Sequence, residues 1–145
     1  MKQTLTLALA AGLLALLPPS SSAQAARTFA GRLAPMPLDL AMAVTMAGQG
    51  SATAMLTAST LTVNGTFEGL KSPATVARLH KSAKPGMRGD AVLDVQVAKA
   101  VAGTVTAALD LTPQQVADLQ NGRLYIQIHS EKAPDGNLWG WLLPQ

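Results

Sequence analysis

Apolar residues recur at every second position through most of this chain. The clearest case is Leu124-Tyr125-Ile126-Gln127-Ile128-His129, which sets Leu124, Ile126 and Ile128 on one side of a strand and Tyr125, Gln127 and His129 on the other. Leu61 to Phe67 alternates as cleanly. Ala91 to Val97 and Thr104 to Leu109 do so with small residues interspersed. Val76 to His80 and Leu138 to Leu143 read as strands, and Leu38 to Met46 and Ala52 to Thr57 as weaker ones. Turn residues separate these runs at Gly48-Gln49-Gly50, Pro85-Gly86, Arg88-Gly89-Asp90 and Pro134-Asp135-Gly136.

The helical period of 3.6 is confined to one short segment near 112–121. Thr112 suits an N-cap, Pro113 the first helical position, and Asn121-Gly122 a left-handed stop. Val116 and Leu119 then share the face that meets the sheet. About eight short strands at this spacing predict an all-β fold, an Ig-like or Greek-key sandwich of two sheets.

The amino terminus follows a different pattern. Lys2 precedes an uncharged apolar run from Leu5 to Leu17, then come Pro18-Pro19 and small residues ending in Ala23-Gln24-Ala25. This is the layout of a secretory signal peptide over 1–25, its apolar stretch too short to span a bilayer, which takes about 20 residues. The expected division is a signal at 1–25, a lead-in at 26–37 with at most one short strand, and a domain at 38–145. The expected location is the periplasm or the extracellular medium. No transmembrane segment is expected in the mature chain.

Composition narrows the function. Taking 25 from 145 residues leaves 120, enough for one cored domain. There is no cysteine, so neither a disulfide framework nor a lipidated cysteine is available. Loss of Lys2 lowers the formal charge from +3 to +2, and the basic residues are scattered with one Tyr and two Phe to stack on bases, which argues against nucleic acid. No nucleophile-elbow serine and no arguable carboxylate pair is present. Ser130 directly follows His129, so their side chains leave a strand on opposite faces. The chain is therefore read as non-enzymatic.

Three ordered stretches resemble the chordin-type (CHRD) domain. They are Val63-Asn64-Gly65-Thr66-Phe67-Glu68-Gly69-Leu70 leading to Ala74 through His80; Gly86-Met87-Arg88-Gly89 before a strand; and Leu119 through Ser130 followed by Pro134-Asp135-Gly136-Asn137-Leu138-Trp139-Gly140. The resemblance implies an extracytoplasmic β-sandwich without established catalytic residues. Two departures stand out. The family's His-x-His is Arg78-Leu79-His80 here, and its E-I-R-G ending is Asn137-Leu138-Trp139-Gly140.

Two uses of these residues follow. His80 and His129, the only histidines, are candidate ligands for copper or zinc, with thioethers available from Met42, Met46, Met55 and Met87. Arg78 opposes this, because a guanidinium about 6 Å from a divalent ion repels it by roughly 5 kcal/mol at an effective dielectric of ~20. Alternatively, Trp139 and Trp141 lie two apart on the face of Tyr125 and Gln127, and with Arg78 they are a candidate binding surface. The favoured reading is that they are core instead, with the Ala26 to Pro37 lead-in covering that face. Arg78 is expected to pair with Glu131 or Asp135. The leading expectation is a binding module for another extracytoplasmic protein or for itself; the alternative is a metal-handling or redox-related protein.

Overall fold

A computed structural model describes residues 25–145. The expected signal peptide lies outside the described residues up to Gln24. Nine strands and two short helices follow: β1 (Arg27–Leu33), α1 (Leu40–Thr45), β2 (Gln49–Thr57), β3 (Thr60–Glu68), β4 (Ala74–Lys81), β5 (Ala91–Val97), β6 (Gly103–Asp110), α2 (Pro113–Gln120), β7 (Leu124–Ser130), β8 (Ala133–Trp141) and β9 (Leu143–Pro144). All pairings are antiparallel, in the order β8-β7-β4-β5-β6-β3-β2-β1-β9.

The all-β class is as expected, but the strands form one sheet coiled almost into a barrel rather than two separate sheets. Two walls remain recognisable, β1-β2-β3-β6 and β4-β5-β7-β8. They join at a corner where β5 leaves β4 and pairs with β6 only through Gln96 and Val97. On the opposite side, Ala34 exchanges backbone hydrogen bonds with Trp139 of β8 at 3.0 and 2.9 Å, while Ala30 and Phe29 of β1 face Leu143 and Pro144 of β9. These pairs share one register, so β8 and β9 are one strand running along β1. It is interrupted at Leu142, whose N–H turns to the Leu124 carbonyl at 3.0 Å. Gly31 permits the close approach at this seam, because a Cβ there would meet the Trp141 carbonyl. The 26–37 segment thus contributes a full-length strand to the closure.

The alternation read from the sequence decides which side chains fill the interior. Phe29, Leu33, Leu61, Val63, Leu79, Val105, Leu124, Ile126, Ile128, Leu138 and Leu142 form one contiguous core. The helix near 112–121 forms as expected. Thr112 accepts from the Gln115 N–H, Gln115 accepts from the Thr112 N–H, and Gly122 takes the left-handed conformation that ends it (φ +65°). Its Leu119 is fully buried in the core. Buried Asp118 meets Lys81 at 2.9 Å and Arg123 at 3.8 Å.

Two local expectations are corrected. The weak strand at Leu38 to Met46 is instead α1, where Asp39 caps the Met42 N–H at 2.8 Å and alanines at 41 and 43 favour a helix. The turn before the last long strand is at Glu131-Lys132, not Pro134-Asp135-Gly136, which lies within the irregular start of β8.

Candidate functional site

The outward face of β4, β7 and β8 carries the side chains singled out from the sequence. Strand register places Arg78, Gln127 and Trp139 in one row and His80, Tyr125 and Trp141 in the next. The second row is a stack. His80 and Tyr125 ring centres are 5.0 Å apart and nearly parallel, and Tyr125 and Trp141 are 4.7 Å apart.

The aromatic part of this face is not open to solvent: Tyr125 is 0% and Trp139 1% exposed, and Gln127 is buried. Trp141 and His129 are partly accessible, and Arg78, at the edge, is exposed. The exposed aromatic patch offered as one reading of the sequence therefore does not form. Two segments cover the layer. The first runs from Ala34 through α1 to Ala47, with Met46 and Met42 packed against Tyr125, Ala133 and the tryptophans. It is tied to β8 by the Ala34–Trp139 pair and by Asn137 Nδ2 donating to the Ala47 carbonyl at 2.6 Å. The second is the loop 82–90 between β4 and β5. Its Arg88 guanidinium lies 4.3 Å from the Trp139 ring centre and donates to the Met36 carbonyl, joining the two halves of the lid. The Tyr125 hydroxyl accepts from the Gly89 N–H at 2.9 Å and donates to the Gly89 carbonyl at 3.0 Å.

Each remaining candidate has a definite place. Gln127 Nε2 donates to the Asp135 carbonyl at 2.9 Å. Next to it Gly136 adopts φ +125°, and a Cβ there would collide with Gln127 and the Trp139 ring. Arg78 pairs with Asp94, directly opposite on β5, at 3.2 Å, and not with Glu131 or Asp135. Of the methionines, Met42 and Met46 belong to the aromatic layer, while Met55 and Met87 are exposed.

The two histidines come together, with ring centres 6.4 Å apart. His80 is buried, its Nδ1 2.9 Å from the Gly89 carbonyl. His129 is partly exposed, its Nδ1 2.7 Å from the Pro134 carbonyl. A carbonyl only accepts, so in both rings Nδ1 carries the hydrogen and the neutral ring's lone pair is on Nε2. Both Nε2 atoms are buried without a partner among the described residues, as is the Trp139 indole N–H. Burial lowers the His80 pKa from its ordinary 6.5; the Gly89 hydrogen bond opposes this, His129 and Arg78 act with it, and Asp90 opposes it. Burial likewise raises Tyr125 above 10.0, against its Gly89 bond and Arg88. Among the described residues there is no group of three or more His, Cys, Asp or Glu side chains arranged to hold a metal.

The expected cover, Ala26 to Pro37, is mostly β1; sequence reasoning missed the segments that do form the lid and what they display. Leu38, Leu40 and Val44 are 75%, 85% and 70% exposed. Leu40 and Val44, four apart on α1, share its outward side. The uncharged sequence Leu40 to Thr45 was the available signal, and reading it as a strand concealed it. Among the described residues no helix is long and apolar enough to cross a membrane.

Compared with known proteins, residues 36–142 match the family model of the CHRD domain. No curated protein and no solved structure gives a significant match.

Proposed function

The chain belongs to the CHRD domain family, and from that membership we propose that it is an exported, non-enzymatic interaction module that docks a protein partner on the crest of its lid. The observation carrying this reading is the exposure of Leu38, Leu40 and Val44 together on a segment whose other side is anchored by Met42 and Met46. Burying an exposed Leu or Val side chain contributes about 1.5–3 kcal/mol, so three in one contact supply a usable share of an affinity. Lys71 Nζ donates to the Val44 carbonyl and holds the end of the short helix, which keeps the crest in one geometry.

Other features agree. Neither histidine has a hydroxyl or carboxylate on either nitrogen, so the pairing that activates a nucleophile in hydrolytic dyads is not made among the described residues. Export rests on Lys2, the apolar Leu5 to Leu17 run and Ala23-Gln24-Ala25. Cleavage after Ala25 leaves β1, which begins at Arg27, intact.

A photo-cross-linking amino acid placed at Leu40 tests the reading in the exporting cell. The expected result is one discrete protein adduct, lost when Val44→Asp is added. A second copy of this chain or a different exported protein is told apart by the adduct's mass. Free monomer alone after illumination contradicts the reading. Neither substitution touches the core, so thermal stability should change by less than about 0.5 kcal/mol.

A further inference from the structure

We propose that His80 and His129 form a binding site for a single Cu(I) ion, held between their two Nε2 atoms. The case starts from the carbonyls of Gly89 and Pro134, which fix the hydrogen on Nδ1 of each ring and leave a lone pair on each Nε2. A metal-ligating histidine is ordinarily oriented in this way, its second nitrogen donating to a carbonyl or carboxylate. Both lone pairs are buried and have no donor among the described residues. Such groups are costly to leave unmatched, and each calls for a partner.

The spacing limits what that partner is. A ring nitrogen lies about 1.1 Å from its ring centre, so at 6.4 Å between centres the two Nε2 atoms approach no closer than about 4 Å. That is too long for a direct N–H···N hydrogen bond, which needs about 3 Å. At that minimum, with the two lone pairs turned toward each other, two metal–imidazole bonds of about 2.0 Å span the gap.

The donor set then selects the ion. Zinc takes four ligands in a tetrahedron, and the described residues hold no third His, Cys, Asp or Glu beside this pair. Cu(I) has a filled d shell, accepts two nitrogens in a line and suits imidazole. Its single charge halves the repulsion from a nearby guanidinium compared with a divalent ion. Arg78 is moreover paired with Asp94 at 3.2 Å. The stacked Tyr125 holds the His80 ring and also donates to the same Gly89 carbonyl, so the first ligand is rigid before the ion arrives. His129, partly exposed, is the ligand through which an ion enters.

The purified protein, titrated anaerobically with Cu(I) against a colorimetric chelator, should bind one equivalent. Nitrogen-15 spectra of the imidazoles should show both Nε2 signals shifted, with both Nδ1 atoms still protonated. His129→Ala should weaken binding by more than the roughly 10–100-fold that loss of a second-shell partner costs. Met42→Leu and Met87→Leu should leave it unchanged. His80→Gln is the second ligand variant; because His80 is buried, the partly exposed His129 carries the decisive comparison. Absence of binding, binding undiminished in His129→Ala, or Nε2 signals that ignore Cu(I) because a trapped water bridges them would each overturn the proposal. None of these results bears on cross-linking at Leu40, so the site and the docking crest stand or fall separately.

Discussion

Trp139→Ala is expected to destabilise the protein by about 3–5 kcal/mol, the usual cost of truncating a buried Trp. The indole is 1% exposed and is the largest side chain of the layer between sheet and lid. Its loss leaves Met46, Tyr125 and Ala133 facing a void, and removes the ring under the Arg88 guanidinium. Arg88 is also the link from the 82–90 loop to Met36, so both halves of the lid loosen together. At this chain length each kcal/mol shifts the midpoint by roughly 3–5 °C, which puts the thermal transition about 10–20 °C lower. Urea unfolding read by circular dichroism checks this. Trp141→Phe, at a partly exposed position that keeps a ring on Tyr125, should cost no more than about 1 kcal/mol.

Gly89→Ala is the second large effect, expected at about 3 kcal/mol from overpacking and lost hydrogen bonds together. An added Cβ would fall far inside van der Waals contact distance of the Lys81 carbonyl oxygen, with the Ser82 Cα close behind. Both are backbone, so neither can swing away, and the loop must lift off the sheet. Lifting breaks the bond His80 Nδ1 donates to the Gly89 carbonyl and both bonds between Gly89 and the Tyr125 hydroxyl. Gly86→Ala in the same loop is the control. Its φ of +83° makes alanine unfavourable, but nothing lies within 4 Å of the new Cβ, so the cost should stay near 1 kcal/mol. Chemical denaturation of the two variants side by side separates steric displacement of the loop from backbone strain.

The local content of this fold is legible in the sequence. Alternation assigns Leu124, Ile126 and Ile128 to the interior and Tyr125, Gln127 and His129 to the other face, and the structure places them so. Ala91–Val97 and the Thr112-capped helix are found where their residues indicate. What alternation cannot carry is what lies over a face. The outward side of β7 and β8 reads the same whether solvent or a lid covers it, and the lid's main segment reads as a weak strand until Asp39 is recognised as a cap. Closure is illegible for a similar reason. Phe29 pairs with Pro144, from opposite ends of the domain, and no local periodicity records so distant a contact. Arg78 shows the same limit at the scale of one residue. Its partner is Asp94, which the β4–β5 register sets directly opposite, and the sequence alone offers several acids.

The matched family region spans 36–142, while β1 and β9, which meet at the seam, lie outside it. The lid from Met36 onward, the aromatic layer and both histidines lie within it. The protein thus keeps its candidate chemistry on one wall, mostly covered by a segment that turns apolar side chains outward, with His129 left partly accessible at its edge.

That two-sided lid is the centre of the account, and the fluorescence of Trp139 tests it most directly. In a Trp141→Phe background the single remaining indole should emit at short wavelength and resist iodide and acrylamide, and should keep both properties when Leu40→Asp is added. Red-shifted, freely quenched emission from Trp139 in the folded protein would contradict it.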